Sequence, residues 1–479
     1  MPFELSALFS NVWAIFLVAV FFGGSIFVHE LGHFLAARRG GVIVERFSIG
    51  FGPPIWSRRG RDGVEYRLSW FPLGGYVLLP QLADLGPLEG ESAVNVAKLP
   101  PIGYWTKMMV FVAGATFNIL FAFVLACIVW GLGQPESSDM ASTRIGYVAP
   151  TIELPDATKI PSPASRAGLR IGDIVHAIDG KKVDNWNDIQ NSLVLGSGRS
   201  KSGERQVIFS IERAGTKQDI SIEPVLAGDE KVRRVGIAPG FELIVQAIAP
   251  DSVAAKAGFK AEDEILQVNG ELILNDATFR NALDATAAQA VPVIVRRAGQ
   301  EVTLTVPPRP EVKPGTHLGL TLRTGFRIVH VSPFEQIADV ARWTVRTLQS
   351  LVSPNSDIGL TKVQGPVGIA RILHTAAEIG MRAVLMITIL LNVNLAIFNL
   401  LPLPVLDGGQ MLFATIGKLR GRALPANFVA TTQSMFVVLL LSMVAYVTIF
   451  SDVPRAMREH RAERAERAAA EAAPRPPAK

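Results

Sequence analysis

The stretch Gly23-Gly24-Ser25-Ile26-Phe27-Val28-His29-Glu30-Leu31-Gly32-His33 decides how the rest of the chain is read. It joins an apolar run to a His-Glu-x-x-His pattern. On a helix, residues four apart share a face, so both imidazoles can meet one zinc ion. Glu30 lies beside them and has the chemistry of a general base for water on such an ion. Taken alone, the pattern also fits two structural histidines at a helix end. Its setting favours the metal, because an acid and two imidazoles at the border of an apolar span are costly to bury and functional by default.

That run is one of four stretches free of Asp, Glu, Lys and Arg: Leu5 to Val28, Met108 to Gln134, Ala383 to Leu406, and Ala423 to Ser451. Crossing a bilayer takes about 20 such residues. The first has no basic leader and no clear small-residue cleavage site, so it reads as a membrane helix rather than a signal peptide. Gly23, Gly24 and Ser25 permit close helix approach. The expected fold is therefore a multipass α-helical membrane protein with four transmembrane helices.

Composition agrees. The chain has 479 residues, 49% hydrophobic and 19% charged, against roughly 25% charged in soluble domains. This deficit argues against a disordered chain and against an ordinary cytosolic enzyme. The net charge of +5 is small and the basic residues are scattered, which argues against a nucleic-acid partner. A single cysteine, Cys127, excludes an internal disulfide framework and a Cys-rich zinc site.

Short loops rich in Lys and Arg face the cytoplasm. Arg38, Arg39, Arg46, Arg58, Arg59, Arg61 and Arg67 follow the first span, and Lys418, Arg420 and Arg422 follow the third. Both loops are expected inside, with both termini and the long middle region outside. Arginines 455, 458, 461, 464 and 467 of the tail run against this, but Glu459, Glu463 and Glu466 alternate with them and make a solvated face.

The middle region, roughly Arg144 to Pro310, carries an internal repeat. Gly168, Asp173 and Gly180 recur as Gly258, Asp263 and Gly270, each 90 residues on, which chance does not readily give. Strand-like runs follow each copy, joined through Arg213-Ala214-Gly215 and Arg297-Ala298-Gly299 as hairpins. The pattern Ala-Gly-Leu-x-x-Gly-Asp-x-Ile-x-x-Ile-(Asp/Asn)-Gly resembles PDZ domains, two in tandem. Such domains can bind a peptide as an added strand or serve as steric bulk. Phe334 to Val352 has helical periodicity, with Ile337, Val340, Ala341, Val345 and Leu348 on one face. That face is expected to lie on the membrane surface or against the second repeat.

Catalytic zinc takes three protein ligands and one open position. The metzincin continuation fails, since Ala36 and Arg39 stand where Gly and His are needed. Glu45 and Glu65 lie in an arginine-rich loop. A better third ligand ends the third span, in Asn399-Leu-Leu-Pro402-Leu-Pro404-Val-Leu-Asp407-Gly408-Gly409. Asp407 is the first charge after Arg382. Without the His-Glu-x-x-His motif, the favoured reading would be a helix-end aspartate in water, as Gly408-Gly409 suggests. Pro402 and Pro404 break the helix and free carbonyls, which suits a segment beside a water-filled cavity. The Asn399 amide could hydrogen-bond a substrate backbone.

His29-Glu30-x-x-His33 with Asn399-x-x-Pro402-x-Pro404-x-Leu406-Asp407-Gly408 resembles the site-2 protease family of intramembrane zinc metalloproteases. The PDZ-like pair selects its bacterial regulator-of-sigma-E protease branch. Phe47 to Pro53 and Pro72 to Val77, which includes Gly74 and Gly75, resemble the family's membrane-associated β-hairpin. Gly365-Pro366-Val367-Gly368-Ile369 matches a segment before the third span. Val112 to Asn118 resembles a second-span motif in which Pro often takes the place of Ala115. Gln410 stands where some members have His. Residues 80–105 match nothing in the family, and the tail after Ser451 reads as dispensable.

The resemblance implies an inner-membrane zinc endopeptidase, one Zn²⁺ per chain, held by His29, His33 and Asp407 with Glu30 activating water. Substrates would be single-span membrane proteins already trimmed by another protease, such as anti-sigma factors or remnant signal peptides. Gly74, Gly75, Asn399, Pro402, Pro404 and Asn118 would contact the unwound substrate. The PDZ-like pair would exclude bulky ectodomains or bind peptides. The expected organisation is an N-terminal membrane part (1–143, spans at about 5–33 and 108–132, β region at about 45–80), repeats at 144–227 and 228–310, and a linker with the amphipathic helix (311–382). A C-terminal membrane part (383–451, spans at 383–406 and 426–450) and a charged tail (452–479) complete it. Two other readings compete: a non-proteolytic scaffold that binds peptide tails, and a tethered protease for water-soluble peptides.

Overall fold

The computed structural model describes residues 3–82, 99–195, 206–228, 232–309, 317–353, 365–454 and 457. Most of the 80–105 segment and of the tail lie outside these. The chain forms two compact units: Met1–Gln134, His330–Leu348 and Leu360–Lys479 in one, Pro135–Val329 and Gln349–Gly359 in the other.

The first unit is helical with one β arm. Helix α1 (Phe3–Arg39) leads into strands β1 (Arg46–Arg59) and β2 (Glu65–Leu78), then α2 (Tyr104–Leu132). After the second unit come α3 (Pro333–Val352), α4 (Pro366–Ile379), α5 (Met381–Asn399), α6 (Asp407–Leu419) and α7 (Ala426–Val447). Segments of α1, α2, α5 and α7 are long and apolar enough to cross a bilayer, four among the described residues. Val124 of α2 and Val438, Leu439 and Leu441 of α7 are exposed, as side chains that face lipid are.

Small residues set how closely these helices pack. A Cβ on Gly32 would lie 2.5 Å from Ala113 O, so α1 and α2 meet backbone to backbone. Ala122, Leu125, Ala126 and Val129 of α2 interlock with Leu385, Ile389 and Val393 of α5. Asn392 Nδ2 donates to Ser25 Oγ at 2.8 Å and ties α5 to α1. Ile337, Val340 and Ala341 of α3 pack on the α2–α5 cluster.

The third span is shorter than its charge-free run suggests. It stops at Asn399, and Asp407 opens the separate helix α6. Pro402 and Pro404 have no N–H to continue a helix, so 400–406 form a turn. Leu403 N bonds Leu401 O at 2.7 Å, so that carbonyl is not left free. Gly408 and Gly409 lie against the carbonyls of Leu401 and Leu403, where a Cβ would collide. They are therefore requirements of the turn rather than a generic helix end.

Nor does the membrane part finish at Ser451. A short π-helix, Thr448–Asp452, follows α7. Asp452 is buried and accepts from Gly365 N at 3.0 Å and Gly368 N at 3.2 Å, capping α4. Asp452 belongs to the fold and not to the tail.

Residues 46–49 of the β arm pair with 75–78 on one side and with 65–68 on the other, which leaves 75–78 at the outside. Phe47, Val64 and Val77 bury themselves against Phe34 of α1 and Val110 of α2, with the Phe34 and Phe47 rings edge to face at 5.3 Å. The far end of the arm exposes Ile55, Trp56 and Trp70.

In the second unit the repeats fold on one plan. Ser162 and Ser252 cap short helices through Ser165 N and Ala255 N, each at 3.1 Å. Asp173 and Asp263, both buried, receive Arg213 and Arg297 in two-pronged ion pairs. The same guanidiniums donate to Gly168 O and Gly258 O. Type I′-like turns at Asp179-Gly180 and Asn269-Gly270 carry positive φ throughout. Each core closes with a strand beyond the expected boundary. Ile237–Pro239 pairs with Ile145–Val148, and Leu320–Thr324 pairs with Leu243–Ile248. The first repeat therefore runs past 227 to about Pro239, and the second past 310 to Thr324, because Val235, Leu318 and Leu320 complete the two cores.

Candidate metal centre

Helix α1 carries His29, Glu30 and His33 on its inner side, and the first turn of α6 carries Asp407. His29 Nε2 and His33 Nε2 are 3.1 Å apart, and Asp407 Oδ2 is 3.3 Å from the first and 3.4 Å from the second. Ligand atoms about 2.0–2.1 Å from a tetrahedral zinc stand roughly 3.3–3.4 Å from one another. Three corners of such a tetrahedron are thus in place. Among the described residues this is the one trio of such groups close enough to share an ion. Asp407 Oδ2 is buried with no hydrogen-bond partner among the described residues, as an atom meant for a cation is. The donor set fits zinc.

The surroundings explain the triangle. His33 Nδ1 lies 2.8 Å from Val110 O, which holds the ring's remaining proton and turns Nε2 toward the centre. A Cβ on Gly114 would lie 2.6 Å from His29 Cε1 and 2.8 Å from His29 Nε2, and closer still to His33 Nε2. Only glycine leaves room there for two imidazoles. The Gly114–Asn118 motif was visible in the sequence, but nothing in the sequence gave Gly114 this task.

The centre opens into a cavity lined by Glu30, Phe51, Gly75, Tyr76, Val77, Asn399, Val405, Leu406 and Gln410, among others. Gly75 borders it. A Cβ there would lie 3.1 Å from Glu30 Cγ and 2.9 Å from Ser48 O, so the arm reaches the acid only because residue 75 has no side chain. Gly74 stands behind, at φ +140° with the Phe51 ring over it. Asn399 Nδ2 is 3.4 Å from His29 Nε2.

Three expected substrate contacts are placed otherwise. Pro402 and Pro404 shape the turn and do not line the cavity, whereas their neighbours Val405 and Leu406 do. Asn118 is fully buried behind His29. Gln410 shows the opposite. Reading it as outside the ligand set gave it no role, yet it lines the cavity with its Nε2 buried and unpartnered.

Glu65 is no zinc ligand. Burial would raise its carboxyl, but hydrogen bonds from Arg46, Arg67 and Ser57 outweigh that and hold it at about 2. It is consumed in pinning the β arm.

Residues 17–443 match the model of peptidase family M50. The regulator of sigma-E protease RseP of Escherichia coli K12 is 29% identical over 474 residues, covering 93% of this chain and 99% of its own. A candidate zinc metalloprotease of Vibrio cholerae and the protease RseP of Yersinia pestis are each 30% identical, again over 93% of this chain and 99% of theirs.

Proposed function

Since the chain belongs to peptidase family M50 and is a zinc metalloprotease, we propose that it cuts single-span membrane proteins within the bilayer, with one zinc ion per chain. The observation that carries this reading is the triangle of His29, His33 and Asp407, set on an apolar spanning helix with Glu30 in the same cavity.

Zinc held by those three residues supplies Lewis acidity to water and to the scissile carbonyl. The remaining work falls to the protein. Glu30 takes the proton of the attacking water and returns it to the amide nitrogen as that nitrogen leaves. Asn399 donates to the substrate backbone from beside His29. A helical substrate shields its own peptide bonds, so it must open locally before attack. Residues 75–77 border the cavity at the outer side of the sheet, and an opened segment adds there as a strand. Gly75 keeps that approach clear.

Several relatives are named regulator of sigma-E protease; the substrate classes proposed for this chain are anti-sigma factors and remnant signal peptides. The protein sits in a bacterial inner membrane, with the two repeats and both termini outside and the loops after the first and third spans inside. There the repeats act as a size filter or bind peptide tails.

The test uses the purified chain in proteoliposomes. Zinc is counted, and two substrates sharing one cleavable segment are compared, one anchored by a membrane helix and one water-soluble. About one zinc per chain and cleavage of the anchored substrate alone are expected. Equal cleavage of both places the reaction outside the bilayer and overturns the reading. Zinc-free, inactive protein whose repeats still bind peptide supports a scaffold instead.

A further inference from the structure

A neutral imidazole binds a metal through Nε2 only when its proton sits on Nδ1, and a partner opposite Nδ1 fixes that choice. His33 has such a partner in Val110 O, 2.8 Å away. His29 Nδ1 instead faces the side-chain amide of Asn118, with Nδ2 at 3.3 Å. Asn118 is wholly buried, and its Oδ1 meets no donor among the described residues.

Two arrangements of that amide are possible. With Nδ2 donating, the proton of His29 lies on Nε2, the atom that stands 3.3 Å from Asp407 Oδ2 and 3.1 Å from His33 Nε2. That places a proton where the donor set needs a lone pair. Turned by 180° about its terminal bond, the amide keeps its shape and presents Oδ1 to Nδ1–H. Nε2 is then free.

We infer that Asn118 is a positioning residue: its Oδ1 accepts the Nδ1 proton of His29 and fixes that ring as a zinc ligand. The inference rests on the zinc reading above. It also accounts for the layout of α2. Val110 lies one helical turn before Gly114 and Asn118 one turn after it. The helix thus holds the far side of both imidazoles and, through Gly114, leaves space for the rings between.

The test measures zinc affinity of the full-length purified chain by competition with a chromophoric chelator, beside thermal unfolding of the zinc-free forms. Asn118→Leu removes the acceptor at similar volume and is expected to weaken zinc binding about 10–100-fold, the usual effect of losing such a partner. Asn118→Asp can only accept, and is expected to hold zinc as tightly as the parent or more so. Wild-type affinity in Asn118→Leu overturns the inference. If the Leu variant fails to fold, Asn118→Asp decides, and a tenfold loss there overturns it. A parent chain that binds no zinc sinks the zinc reading itself, which is a separate outcome.

Discussion

The α carbon of Gly75 faces Glu30 so closely that a single added methyl would come 3.1 Å from Glu30 Cγ. Strand and acid are therefore one unit, and a side chain at 75 must move one or the other. Gly75→Ala is expected to lower kcat for an anchored substrate about 10–100-fold, the scale of a displacement near 1 Å in a reacting geometry. Zinc content should not change. Parallel measurement of turnover and bound zinc checks both halves.

Glu30→Gln keeps shape and removes the base. Cleavage should fall by roughly 10²–10⁴-fold while zinc stays bound, since Glu30 is not one of the three grouped ligands. Full activity in this variant would falsify the proposed role.

Asp407→Ala leaves two imidazoles and no carboxylate. Zinc content after dialysis should drop well below that of the parent, and cleavage with it. Treating the parent with a strong chelator should have the same effect, reversed by added zinc. A parent that keeps cutting in excess chelator contradicts the site.

The Glu65 clamp gives a pH dependence. Its carboxyl is held at about 2 in the folded chain against an ordinary 4.5. A depressed acid contributes stability that is complete above the ordinary value and is lost as pH falls toward the folded one. The difference in thermal midpoint between the parent and Glu65→Gln should be largest above pH 5 and shrink steadily toward pH 3. A constant difference would mean that the ion pairs to Arg46 and Arg67 do not stabilise the arm.

Asp452→Ala deprives α4 of its cap. A cost of about 0.5–2 kcal/mol is expected, read as a lower thermal midpoint in detergent. Truncation after Ser451 should match it, and truncation after Met457 should not.

Much of this was legible in the sequence, for physical reasons. The four spans follow from charge-free runs, and a helical spacing of four puts His29 and His33 on one face, whereas Asp407 joined them in the sequence only through the family resemblance. The repeats announced themselves because Gly168, Asp173 and Gly180 serve turn and ion-pair geometry that tolerates little change. What could not be read depends on distant segments meeting. Nothing local says that Gly114 faces two imidazoles, that Asn118 stands behind His29, or that Asp452 caps a helix begun at Pro366. The domain ends were misjudged for the same reason, since the closing strands Ile237–Pro239 and Leu320–Thr324 find their partners far back in the chain. The third span looked longer than it is because the Leu-rich turn around Pro402 is as free of charge as a helix.

The order in which the ligands occur along the chain has a consequence for biosynthesis. His29, Glu30 and His33 leave the ribosome early, but Asp407 follows only after both repeats and the third span. A nascent chain thus carries the proposed base and two of the three proposed metal ligands throughout most of its own synthesis. On the proposed reading, a chain made only as far as the third span has no complete centre, and neighbouring membrane segments, its own included, are safe from it.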